Sequence, residues 1–243
     1  MGPMEGKTAV VTGASSGIGR AIAARFVGDG ARVYLTGRRA APLRAVADEL
    51  GENAVAVPCD VASAADLERL FDTVRADRRT LDVVVANAGV GRHGRLGDIT
   101  EEAIDYTFGV NVKGVIFTVQ GALALLAPDA SVILVGSTTS VRPDPRMAVY
   151  GATKAAVRNL ARSWAQHAQG QGFRVNVLSP GPTATPGLER VLDGDVDALN
   201  DAIPLGRPGR PEEIAAVAAF LASDASSFVN GVELFADGGH AQI

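Results

Sequence analysis

The stretch Thr8-Ala9-Val10-Val11-Thr12-Gly13-Ala14-Ser15-Ser16-Gly17-Ile18-Gly19 sets an apolar, β-branched run directly against a glycine-rich turn. The run has the composition of a parallel strand buried on both faces. Beyond the turn, Ile18, Ile22, Ala23 and Phe26 recur at helical spacing, and Asp29-Gly30 supplies a helix stop. Strand, glycine turn and helix in that order predict a phosphate-binding corner. Gly13 permits the tight turn, Gly17 and Gly19 permit close approach, and the helix turns free amides and its positive dipole end toward a pyrophosphate. The spacing is GxxxGxG, a departure from the commoner GxGxxG.

The same rhythm runs on through the chain. Residues 33–36, 54–58, 81–86, 131–135, 173–178 and 231–235 read as six further strands. Helices are predicted over 40–50, over a segment capped by Ser63, from about 101 to 126, from 149 to about 168, and over 212–222 behind Pro211. Gly109 and Asn111 are poor helix formers and predict an irregularity in the long 101–126 helix. Apolar strands alternating with helices imply βαβ units and an α/β fold. The expectation is one doubly wound, Rossmann-like domain over 1–243, with a seven-stranded parallel sheet in the order 3-2-1-4-5-6-7 and helices on both faces. Regularity loosens after Pro180, so 183–210 is the candidate substrate-covering segment, or else an ordinary surface excursion.

Composition narrows the function classes. At 47% hydrophobic and 21% charged residues the chain is globular rather than disordered. A net charge of -4 offers no basic field for a phosphate backbone, which speaks against nucleic-acid binding. One cysteine excludes an intrachain disulfide framework, and His93, His167 and His240 have no zinc-like spacing, so no metal is expected. No secretory signal and no run of 18 apolar residues is legible, so a cytoplasmic protein without a membrane span is the default expectation.

The strand ends carry the chemistry. Thr36-Gly37-Arg38-Arg39 follows the second strand where an acidic residue would hold a ribose 2′-hydroxyl; Gly37 removes carboxylate repulsion and Arg38 offers a rigid donor fork to a 2′-phosphate, favouring NADPH, with NAD tolerated. The alternative reading is that Arg38 and Arg39 merely solvate the following helix. Asp60 can accept from an adenine amino group beside the apolar wall of Val61, and Asn87-Ala88-Gly89 permits close approach at the crevice. Tyr150 and Lys154 share a helix face, where the ammonium is expected to lower the phenol pKa for proton transfer and to bond a cofactor ribose. Ser137, just past the fifth strand, can polarise a carbonyl; it is otherwise a turn residue, and without a GxSxG elbow it does not read as an acyl-transfer nucleophile. Asn111 either holds a water for proton relay or marks a plain helix irregularity.

Together these motifs resemble the short-chain dehydrogenase/reductase family. Thr12 to Gly19, Asp60, Asn87-Ala88-Gly89, Asn111, Ser137, Tyr150, Lys154, Pro180-Gly181, Thr185 and Asp237-Gly238-Gly239 carry the likeness across nearly the whole chain. The resemblance implies an oxidoreductase in which Tyr150 is the acid/base, Ser137 orients the reacting oxygen, Lys154 tunes Tyr150 and binds ribose, and Asn111 supports a water relay. It adds Thr12, Ser15, Ile18, Pro180, Gly181 and Thr183 to the cofactor site. Ser16 stands where such proteins often have a basic residue in the glycine turn. The resemblance also implies a homotetramer, with Ala152, Ala155, Ala156, Leu160 and Trp164 on one face and Phe220, Leu221, Phe228, Val232, Leu234 and Phe235 on another; intrachain core packing is the alternative for many of these residues, and the favoured one for Leu234. Val90 to Arg95, Thr139 to Met147 and Pro182 to Leu205 are the candidate substrate walls, with His93, Arg95, Arg142 and Arg146 read either as exposed loop charges or as groups for a polar or anionic substrate, and Leu188, Val191 and Leu192 for apolar ones. The expected function is an NADP(H)-linked carbonyl reductase or alcohol dehydrogenase. A 3-oxoacyl-thioester (acyl carrier protein) reductase and a non-catalytic nucleotide-binding regulatory protein are the alternatives.

Overall fold

Seven parallel strands form a single sheet in the order β3-β2-β1-β4-β5-β6-β7, as expected. They are β1 Thr8–Thr12, β2 Arg32–Gly37, β3 Ala54–Pro58, β4 Leu81–Ala86, β5 Leu126–Val135, β6 Phe173–Pro180 and β7 Glu233–Ala236. The computed structural model describes residues 2–192 and 196–242. β5 starts earlier and β6 ends later than predicted, because pairing with a neighbour extends a strand past the end of its apolar run: Leu126 pairs with Leu81, and Pro180 with Ala236. β7 likewise lies two residues later at its start and one at its end.

Alternate side chains along each strand enter two separate cores. Val10, Tyr34, Val84, Val132, Leu134 and Val177 face α3 (Ala64–Ala76), α5 (Gly114–Ala122) and α6 (Ala148–His167). Ala9, Val11, Val33, Leu35, Val85 and Ile133 face α1 (Gly17–Gly28), α2 (Ala40–Leu50) and α8 (Pro211–Ala222). Two-sided burial is why β1 is buried at all five positions and reads as a continuous apolar run. Ser63 caps α3, its hydroxyl accepting from Asp66 N.

The long helix divides as its glycine suggested. α4 (Glu101–Phe108) passes through a π-helical turn, Gly109–Lys113, into α5. Such turns locally widen the hydrogen-bond ladder. The Glu101–Leu125 stretch is long and apolar enough to cross a membrane by length and composition; here Val115, Val119 and Ala122 belong to the core between α5 and the sheet. The 183–210 excursion is pinned at its base, where Ala184 N donates to Gly209 O (2.8 Å) and Gly209 N to Pro182 O (2.9 Å). It contains α7 (Pro186–Val191), capped by Thr185.

Candidate active site

Strand order reverses direction between β1 and β4, and a crevice opens beyond their carboxyl ends. A cleft of about 1450 Å³ runs from there across β5 and β6. This exceeds the roughly 300–1,000 Å³ of a single small-ligand pocket, leaving room for two ligands end to end.

The glycine turn forms one end. Gly13 has φ +67, and a Cβ there would lie 2.9 Å from Ala88 Cα. At Gly19 an added Cβ would overlap both Asn87 Nδ2 and Gly13 O, so β1, the turn and the β4 loop close on one another only without side chains. Ser16 precedes α1 in extended conformation and makes no side-chain cap, leaving the first-turn amides without that acceptor. Gly37 and Arg38 line the same end, and the Arg38 guanidinium lies 5.8 Å from the Tyr106 ring centre. The cradle and the uncapped helix end fit a dinucleotide pyrophosphate.

Ser137, Tyr150 and Lys154 line the other end. The Ser137 hydroxyl accepts from Thr139 Oγ1 (2.9 Å) and Thr139 N (3.2 Å). Lys154 is 3% exposed, and its Nζ donates to Val135 O at 2.7 Å. Burial pushes the Lys154 ammonium down to about 8. Tyr150 lines the cleft half-buried, where desolvation raises its phenol above the usual value and the Ser137 hydroxyl draws it partly back. The expected lowering by Lys154 is therefore not seen in the cofactor-free site. The ammonium is turned to a carbonyl, 5.6 Å from the Tyr150 ring centre, and itself bears a desolvation penalty.

The family model described as enoyl-(acyl carrier protein) reductase matches residues 13–241. Oxidoreductase asL5 of Sarocladium schorii is 49% identical, over 99% of this chain and 98% of that one. The crystal structure of a short-chain dehydrogenase/reductase, glucose/ribitol dehydrogenase, from Brucella melitensis superposes with TM-score 0.95 at 33% identity, covering 100% of this chain and 99% of the other. That of a 3-ketoacyl-(acyl-carrier-protein) reductase from the same organism, complexed with NADH, gives 0.90 at 33% identity over 98% and 99%.

The chain belongs to the short-chain dehydrogenase/reductase family. It is an oxidoreductase of a family that uses NAD or NADP and small-molecule substrates. Of the residues singled out from sequence, Gly13, Ser15, Gly17, Ile18, Gly19, Gly37, Arg38, Asp60, Val61, Asn87, Ala88, Gly89, Ser137, Tyr150, Lys154, Pro180, Gly181 and Thr183 line this short-chain dehydrogenase/reductase cleft. Thr12 and Asn111 do not; both lie behind its wall. Thr12 is 1% exposed, and its hydroxyl accepts from Asn87 N and Ala88 N, both at 2.9 Å, so it shapes the loop from beneath. Asn111 is fully buried: it donates from Nδ2 to Val90 O (2.8 Å) and Thr153 Oγ1 (3.0 Å) and accepts from Val90 N (2.8 Å).

At the mouth, His93, Arg95, Arg142, Arg146, Leu188 and Leu192 all line the cleft, whereas the Val191 side chain lies outside the described residues. Arg146 pairs with Asp144 (3.1 Å), and Arg142 donates to the His240 carbonyl. Leu221 is buried in the core, which removes it from the expected interface, and Leu234 packs against that same core. Thr139, expected from sequence as the start of a substrate wall, lines the cleft, whereas sequence reasoning missed Tyr106 and His240 as cleft residues. Tyr106 lies one helical turn before Val110, a legible spacing; His240 gave no signal, since its place depends on the terminal segment folding back to Arg142.

Proposed function

We propose that this chain is an NADP(H)-linked oxidoreductase that interconverts a carbonyl and a secondary alcohol. The observation that carries the reading is one cleft with a glycine cradle and Arg38 at one end and Ser137, Tyr150 and Lys154 at the other. The bound cofactor would supply or accept the hydride. In reduction, Tyr150 gives its phenolic proton to the carbonyl oxygen as charge builds there, and the Ser137 hydroxyl donates a hydrogen bond to the same oxygen. Burial holds the Tyr150 phenol above its ordinary value, which disfavours the phenolate in the cofactor-free site. In oxidation the roles reverse. Lys154 holds the ribose side and helps return a proton to Tyr150, with Asn111 at the π-turn marking where a water can join the relay. The cofactor-site role of Lys154 is supported by Gly89, whose added Cβ would stand 3.3 Å from Nζ.

Arg38 holds a 2′-phosphate, with Asp60 and Val61 at the adenine, and residues 183–210 cover the substrate. The chain is cytoplasmic and assembles as a homotetramer: Ile104 and Phe108 on α4, and Phe220, Phe228 and Val232 near the terminal strand, are exposed apolar groups available for two faces. The 33% likeness to a 3-ketoacyl-(acyl-carrier-protein) reductase supports a second reading, 3-oxoacyl-thioester reduction.

The test is a panel of simple ketones, sugars and acetoacetyl thioesters with NADPH and NADH, reading alcohol product directly, beside the Tyr150→Phe variant. Cofactor binding with loss of most turnover is expected of that variant. Turnover near that of the unaltered protein would reject the proton-transfer role, and cofactor binding without any product would favour a regulatory protein.

A further inference from the structure

Glu233 opens β7, and its side chain is only 6% exposed. It pairs with Val177 across the sheet and so shares the face on which α6 packs. One carboxylate oxygen accepts from Ser179 Oγ (2.7 Å) and Ser140 Oγ (3.1 Å), and the other faces Arg158 NH1 at 3.5 Å. The same Arg158 nitrogen donates to Ser140 O at 3.4 Å. Burying a carboxylate is costly unless every lone pair finds a partner. Here the partners converge from three elements: β6 through Ser179, α6 through Arg158, and the 138–140 turn through Ser140.

Two of those elements adjoin the reacting groups, α6 carrying Tyr150 and Lys154 and the turn following Ser137, while β6 borders the turn at Gly136. Ser140 closes the turn that begins at Ser137, with Ser140 N donating to Ser137 O at 3.0 Å. Arg158 is one helical turn beyond Lys154 on α6. Ser179 stands against Gly136, where an added Cβ would overlap its Oγ. Glu233 does not line the cleft.

We propose that Glu233 is a positioning residue for Ser137: its buried carboxylate fastens the 136–140 turn to β6 and α6, fixing the serine hydroxyl against Tyr150. The proposal rests on the role given to Ser137 above. Neither serine side chain could hold the turn alone, because each hydroxyl reaches only through the shared carboxylate. Arg158 both balances its charge and holds the turn's last carbonyl.

The test compares Glu233→Ala, Glu233→Gln, Ser137→Ala and the Glu233→Ala/Ser137→Ala double variant. Amide hydrogen exchange of the cofactor-free protein is read over 136–142 and over β1. Steady-state rates are read with NADPH against cyclohexanone and acetoacetyl-N-acetylcysteamine, and NADPH affinity by fluorescence. Glu233→Ala is expected to speed exchange over 136–142 at least tenfold with β1 unchanged, and to lower kcat about tenfold while NADPH affinity stays within twofold. Glu233→Gln keeps an acceptor for both serines and should recover kcat to within threefold. In the Ser137→Ala background Glu233→Ala should cost less than a further twofold, since effects passing through one group are not additive.

Equal losses in both backgrounds, or unchanged exchange over 136–142, would overturn the proposal. A Ser137→Ala variant with full kcat would instead refute the role of Ser137. If neither probe is reduced, the exchange result decides whether Glu233 fastens the turn. If Glu233→Ala does not fold, Ser140→Ala, which deletes one of the carboxylate's bonds, must show the same local exchange at smaller size; no change there overturns the proposal.

Discussion

Replacing Asn111 by alanine should destabilise the protein by about 3 kcal/mol, taking about 1 kcal/mol net for each of its three hydrogen bonds. The side chain is fully buried in the π-turn, and it ties Val90 N and Val90 O to Thr153 on α6. Alanine leaves the Val90 N–H and C=O without their partners. Val90 borders the cleft, so water can reach these groups and soften the penalty; the range expected is roughly 2–4 kcal/mol. Thr153→Val, which removes the hydroxyl that accepts from Asn111 and donates to Tyr150 O at 2.7 Å, should cost roughly 1–2 kcal/mol. Urea denaturation followed by circular dichroism and by the fluorescence of Trp164, at fixed protein concentration, measures both. Asn111→Asp separates geometry from volume: it keeps one acceptor for Val90 N but sets a second oxygen against Val90 O. A midpoint for Asn111→Ala within about 0.5 kcal/mol of the unaltered protein, or an Asp variant as stable as it, would refute the clamp.

Three further outcomes follow from the same geometry. Arg38→Ala should weaken NADPH about tenfold to a hundredfold, the worth of a charge-assisted hydrogen bond, while NADH changes less than twofold in fluorescence titrations; equal changes would reject the 2′-phosphate assignment. Lys154→Met should be more stable than the unaltered cofactor-free protein at pH 7, by at most about 3 kcal/mol, because the buried ammonium carries a desolvation penalty. Below pH 8 folded and unfolded chains both hold that proton. Between about 8 and 10.5 the folded chain sheds it while the unfolded chain keeps it, so the stability of the unaltered protein rises and the gap narrows. A gap that stays constant from pH 7 to 10 in parallel denaturation series would count against a depressed Lys154. Gly19→Ala should lower stability by roughly 1–3 kcal/mol, and weaken NADPH more than tenfold, because Asn87 and the Gly13 carbonyl occupy the space of the new methyl; a melting temperature and affinity unchanged from the parent would show that the corner can yield.

The sequence alone determined the sheet and the corner at its centre. Strands buried on both faces are written as short apolar runs, and helices by a 3.6-residue rhythm, so Val10 and Val11 or Leu67, Leu70 and Val74 declare their elements locally. The glycine turn was equally legible, because a positive φ at Gly13 and a methyl-free Gly19 are demands placed on single positions. Tertiary structure decided what the polar side chains do. Thr12 reaches a loop 75 residues away, Asn111 a loop 21 residues away, and Glu233 a turn 93 residues away. No local period encodes such partners; they exist only once packing has chosen which strand ends lie side by side. The proton affinities of Tyr150 and Lys154 follow the same rule, since they are set chiefly by how much water the surrounding fold removes.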